Sequence, residues 1–86
     1  MARWTNNPAE NEHIARVHHQ LSNAALQSGT SITVHPIAGG QFSGKWVGGE
    51  YRQNGIWPPS YCASVRVQIG ESNIVEWDLL DVAKIT

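Results

Sequence analysis

The sequence predicts a mainly β protein with one N-terminal α-helix, its five short antiparallel strands strongly bent into a small barrel. Three observations carry this. Apolar residues recur at three- and four-residue steps only early in the chain, at Ile14, Val17, Leu21 and Ala24. From Ile32 onward the apolar period is two. Turn signals (Ala38-Gly39-Gly40, Asn54-Gly55, Gly70-Glu71-Ser72-Asn73) then cut the remainder into short runs.

Residues 1–7 form a polar arm. Asn7 is a capping residue, Pro8 suits the first helical position, and Glu10 stands three residues after Asn7 as in a capping box. The spacing predicts a helix over 8–27, with Ala25 beside its apolar stripe and Gly29 as a natural stop. Glu12, Arg16, His19 and Asn23 fall on its wet face, Glu12 and Arg16 as an i,i+4 ion pair. The barrel is predicted over 31–85. Ile32 and Val34 alternate in the first strand, with Pro36 at its end. Phe42, Gly44 and Trp46 alternate in the second, which Gly48-Gly49 break or bend. Residues 50–60 read as irregular. Ala63, Val65, Val67 and Ile69 make the clearest strand, then Val75, Trp77 and Leu79 face one way in the fourth. Leu80-Asp81 is a short turn before a last strand over 82–85. One helix followed by five bent strands is the pattern of a small SH3-like or OB-like barrel.

The chain has 86 residues, the size of one domain spanning 1–86. A chain this short buries little more than about 60% of its unfolded surface, so its core is thin. Hydrophobic residues make up 41%, near the globular norm, which excludes wholesale disorder. A net charge of −1 excludes a generally basic protein held on nucleic acid by bulk charge, while leaving room for a local basic patch. No apolar run approaches the ~18–20 residues that span a bilayer, so no membrane association is expected. The first residues lack the apolar stretch of a secretory signal, and Met1 argues against a processed chain. One cysteine, Cys62, can make no internal disulfide and offers no Cys/His metal framework. A cytoplasmic location is the default.

The layout resembles the Sm-like family, which includes the Sm and LSm proteins and bacterial Hfq, with this chain as a divergent member. The resemblance rests on Ile32-x-Val34, Gly39, Phe42, Gly44 and Trp46, then Glu50 where the family has aspartate and Asn54 where it has asparagine. Residues 73–85 resemble its closing pair of strands. The resemblance covers residues 8–85 in layout and 32–54 in motif. Two departures stand out. Residues 55–60, with Trp57-Pro58-Pro59, look inserted, and Gly70-Glu71-Ser72-Asn73 replaces the family's apolar-Arg-Gly motif. The resemblance implies a helix stacked on a bent five-stranded sheet, a cyclic homo-oligomer, and single-stranded RNA bound at loops lining a pore.

The candidate residues follow from both readings. Asn54 before Gly55 reads first as a turn asparagine in the left-handed conformation. The resemblance gives it a base-contacting role, with Glu50 to orient it. Tyr51, Arg52 and Trp57 put two aromatics and a cation on one loop, groups on which bases stack. Trp57, Pro58 and Pro59 are the candidate interface, packing on the barrel or on a neighbouring subunit. His13 and His18 are five apart and do not stack on one helix face, so no metal is expected. Cys62 reads as a small buried hydrophobe rather than a nucleophile. Asp78 and Asp81 read as outward residues around the last turn, and Trp46 and Trp77 as core. No cofactor is expected, and no catalytic pattern is present. The expected function is a ring-forming Sm-like protein that binds single-stranded RNA around residues 50–54. The alternative is a non-catalytic interaction or assembly module, chromosomal or phage-encoded, that kept the barrel, takes a protein partner and has lost RNA binding.

Overall fold

The computed structural model describes residues 2–24, 27–55 and 57–86. Helix α1 (Pro8–Ala24) is capped as expected: Asn7 Oδ1 accepts from the backbone N–H groups of Ala9 at 2.9 Å and Glu10 at 3.3 Å. Glu10 does not close the expected box onto Asn7. Its Oε1 accepts from the Thr5 hydroxyl at 2.8 Å, and that hydroxyl accepts the Asn7 N–H at 3.2 Å. Ile14, Val17 and Leu21 are buried, and Arg16 pairs with Glu12 at 3.6 Å. The expected C-terminal end of the helix falls partly on residues 25 and 26, outside the described residues. At Gln27 the chain is already turning, its carbonyl accepting from the N–H of Thr30 at 3.2 Å and from its hydroxyl at 2.7 Å.

Five strands follow: β1 (Ser31–Pro36), β2 (Phe42–Asn54), β3 (Ser60–Ile69), β4 (Asn73–Asp78) and β5 (Val82–Ile85), with a single 3-10 turn (Leu79–Asp81) between the last two. They form one antiparallel sheet in the order β4-β3-β2-β1-β5. Gly48 and Gly49 bend β2 without ending it. They sit at a register shift between Trp46 and Gly48, beyond which β2 continues opposite β3 to Asn54. A Cβ at Gly49 would fall on the Ser64 carbonyl oxygen, so glycine lets the two strands close here.

The sheet rolls up. Phe42 lies beyond the end of the β2–β3 ladder, which starts at Lys45↔Gln68, whereas Trp77 lies deep in β4 opposite Val65. On a flat sheet the two would be about 20 Å apart along the strands and two strand spacings across. Their ring centroids are 5.4 Å apart. Among the described residues no ladder joins β4 to β5, so the curled sheet stays open with those strands as its edges.

The core collects Ile14, Val17 and Leu21 from α1, Ile32 and Val34 from β1, Ala63, Val65 and Val67 from β3, and Leu79, Val82 and Ile85 from the chain end. Trp46 and Trp77 pack at its margin, half-buried, rather than inside it. Phe42, which alternates with Gly44 and Trp46, is 43% exposed and rests on Trp77. The arm is docked: Thr5 and Tyr61 exchange both backbone hydrogen bonds, at 2.9 and 2.8 Å. Asp78 is not an outward residue. Its side chain is 7% exposed, caps the 3-10 turn through Leu80 N–H at 3.0 Å, and holds Arg3 Nε at 3.1 Å. Asp81 is exposed as expected and takes Arg3 Nη2 at 3.2 Å.

Candidate interaction surface

The predicted RNA-binding residues do not lie on a loop. Glu50, Tyr51, Arg52 and Asn54 belong to the outer half of β2, opposite Ser64, Ala63, Cys62 and Ser60 of β3. The local reason is the bulge: once Gly48 and Gly49 absorb the bend, the ladder resumes its alternation. No described residue other than glycine has positive φ, so Asn54 is not a left-handed turn residue. It ends the strand.

Alternation separates the four. Tyr51 shares a face with Ala63, the core side of the sheet, while Glu50, Arg52 and Asn54 share the opposite face. Arg52 Nε lies 3.0 Å from Glu50 Oε2, so the cation is paired within its own strand. Arg66 is likewise paired, with Glu76 at 3.3 Å. Lys45 sits at the other end of β2, opposite Gln68.

Tyr51 belongs to an aromatic cluster that the sequence did not reveal. Its ring lies 4.4 Å from His18 of α1 and 6.0 Å from Tyr61 of β3. Tyr61 was legible in principle, because a hairpin turning at residues 55–59 places it diagonally across from Tyr51. His18 carried no such signal, since the contact runs between helix and hairpin. Burial, with a lesser contribution from His19, holds the His18 imidazole below its usual pKa of 6.5. Burial, then Tyr61, pushes the Tyr51 hydroxyl up. Beneath this cluster a cleft of about 110 Å³ is lined by His18, Leu21, Trp46, Gly49, Glu50 and Tyr51, among others. The buried Trp46 indole N–H has no hydrogen-bond partner.

At the hairpin tip Trp57 is 88% exposed, so it neither packs on its own sheet nor plugs the region of residues 50–54. Pro58 is exposed beside it and Pro59 half-buried. Ile56 lies outside the described residues. Cys62 is buried, and burial followed by Glu50 raises its thiol pKa, which disfavours the thiolate a nucleophile needs. His13 donates from Nε2 to the Val82 carbonyl at 2.7 Å. Among the described residues no group of three or more His, Cys, Asp or Glu side chains could hold a metal ion, and no helix is long and apolar enough to cross a membrane. Compared with protein-family models, curated proteins and solved structures, the chain matches none.

Proposed function

We propose that this chain is a non-catalytic assembly module, a divergent Sm-like domain that joins copies of itself into a closed, cyclic homo-oligomer in the cytoplasm. The observation that carries the reading is Trp57, 88% exposed at a hairpin tip beside two prolines. An indole left bare to this extent on so small a domain is a contact awaiting its partner. The lone buried thiol of Cys62 fits a reducing compartment. The expected layout of helix, bent sheet and a short turn between the last two strands supports the Sm-like assignment.

Light scattering after size exclusion tests this. A mass of several times 9.5 kDa is expected for the native chain. Trp57→Ala should lower that mass without lowering the melting temperature of the domain. A native chain that runs at 9.5 kDa at every concentration would sink the reading.

RNA binding is the second reading, favoured by the Tyr51–Tyr61–His18 ring cluster between α1 and the β2–β3 hairpin. Stacking of single-stranded bases needs such rings, and each stacked base contributes about 1–3 kcal/mol. The Glu50–Arg52 pair weighs against it, because phosphate must compete with a carboxylate 3.0 Å away. Adding single-stranded oligoribonucleotides at low and moderate salt separates the two: an oligomer that ignores RNA leaves the assembly reading alone.

A further inference from the structure

The cleft beneath the Tyr51 ring is walled by ring side chains from separate stretches of chain: His18 of α1, Trp46 from before the β2 bulge and Tyr51 from beyond it. Leu21 adds an apolar patch. Gly49, between the two β2 rings, brings no side chain to fill the space. A Cβ there would fall on the Ser64 carbonyl oxygen. Gly49 and Tyr51 share a face of the sheet, and the Ser64 side chain stands with Glu50 on the other. Ser64 therefore lines the cleft with its backbone, its carbonyl oxygen beside the bare Gly49. No lysine or arginine lines the cleft among the described residues. Arg52 is on the opposite face, held by Glu50 at 3.0 Å. The Trp46 indole N–H is buried without a partner although the residue borders an open cleft. What Trp46 turns to the space is therefore ring carbon and not a donor.

We propose that this cleft binds a quaternary ammonium group, held by the rings of Tyr51, Trp46 and His18. A cation is attracted to an aromatic ring whose centroid lies within about 6 Å. The His18 and Tyr51 centroids are 4.4 Å apart, so one cation reaches both. Burial keeps the His18 imidazole uncharged at neutral pH, so its ring is a wall for a cation and not a competing charge. Size narrows the ligand. An apolar cavity of about 150 Å³ takes benzene, so a cleft of about 110 Å³ takes a trimethylammonium head and leaves larger ring systems outside. Hydrogen bonding narrows it further. A bare ammonium or a guanidinium brings several N–H donors, and rings with one carbonyl oxygen cannot replace the water those donors give up. A quaternary ammonium has no donor to satisfy. Its charge is spread over methyl groups that ring faces and a carbonyl oxygen both attract. A monomeric chain carries the same cleft, so this site neither needs nor tests the assembly reading.

Titration of the full chain with choline tests this, followed through the proton signal of the ligand's N-methyl groups. The signal should move upfield and saturate, with a Kd of about 1 mM, because a group lying over ring faces is shielded by their ring currents. The neutral tert-butyl analogue of choline, in which carbon replaces nitrogen, has the same shape without the charge. It should bind about tenfold more weakly. Tyr51→Phe should keep choline binding, and Tyr51→Leu should weaken it about tenfold. Because the leucine variant also loses the ring contact with His18, the comparison of choline with its analogue is made on the native chain and stands without it. A peptide carrying trimethyllysine separates the two sources of the group: binding tighter than that of choline assigns a protein-borne ligand, and weaker binding a free one. Equal binding of choline and its neutral analogue overturns the proposal, since the cleft then reads only shape and apolar surface. So does the absence of a saturable shift with choline and with the peptide, or a Tyr51→Leu chain that folds and binds choline as the native one does.

Discussion

Gly44→Ala is the sharpest test of the sheet register. A Cβ at Gly44 would meet the Gln68 carbonyl oxygen, lie 2.6 Å from Val67 Cγ1 and 3.1 Å from the Gln68 carbonyl carbon. Ordinary carbon–carbon contact is about 3.5–4.0 Å, so the methyl group is roughly 1 Å short of room on the valine side. Val67 is fully buried and β-branched, with little rotamer freedom, and the carbonyl is part of the β2–β3 pairing. Neither neighbour can yield without parting the strands. Overpacking of this kind costs about 1–3 kcal/mol. A domain of this size has only about 4–13 kcal/mol of total stability, and each kcal/mol moves its melting temperature by about 4–8 °C. We therefore expect the midpoint to fall by roughly 8–16 °C for a cost near the middle of that range. Thermal unfolding followed by tryptophan fluorescence measures it. Gly55→Ala is the control, since no atom lies within 4 Å of its added Cβ and its φ is not positive. That change should be neutral or slightly stabilising. If both variants unfold together with the native chain, Gly44 does not face Gln68. The pairing of β2 with β3 near Lys45, and the inward assignment of Trp46, would then be wrong.

Three further outcomes are expected. Trp77→Ala should cost about 2–3 kcal/mol, less than the roughly 3–5 of a fully buried tryptophan, because the ring is half-buried and leans on Phe42; a neutral result in thermal melts would remove Trp77 from the core margin. Asn7→Ala should lose about 1 kcal/mol with the two N-terminal helix bonds, while Asn7→Asp keeps them, and equal melting of the two would deny the cap. His18 is held below its usual pKa by burial, so the unfolded chain binds its proton more readily than the folded one. Its contribution is complete above the usual value of 6.5 and shrinks as pH falls from there through the depressed folded value. His18→Gln should flatten that part of the stability–pH curve, and an unchanged slope would place the titration elsewhere.

The sequence alone determined the order of elements. Helical spacing in Ile14, Val17 and Leu21, then alternation in Ile32 and Val34 and in residues 63–69, are local periodicities that survive whatever the strands pack against. Turn glycines and the Asn7 cap act within a few residues and were equally legible. The tertiary structure decided what those elements do. Gly48-Gly49 read locally as a break or a bend in β2, and it is the β3 partner that makes them a bulge and carries β2 on to Asn54. That single difference moves Glu50, Tyr51, Arg52 and Asn54 from a loop to a strand and divides them between two faces. The pairing of Tyr51 with His18, the arm bonded to Tyr61, and the bonds of Gln20 to the Ile85 N–H and of His13 to the Val82 carbonyl all join residues far apart in the chain. Periodicity reports which face of an element is apolar; it carries no information about which polar side chain of another element will reach its edge.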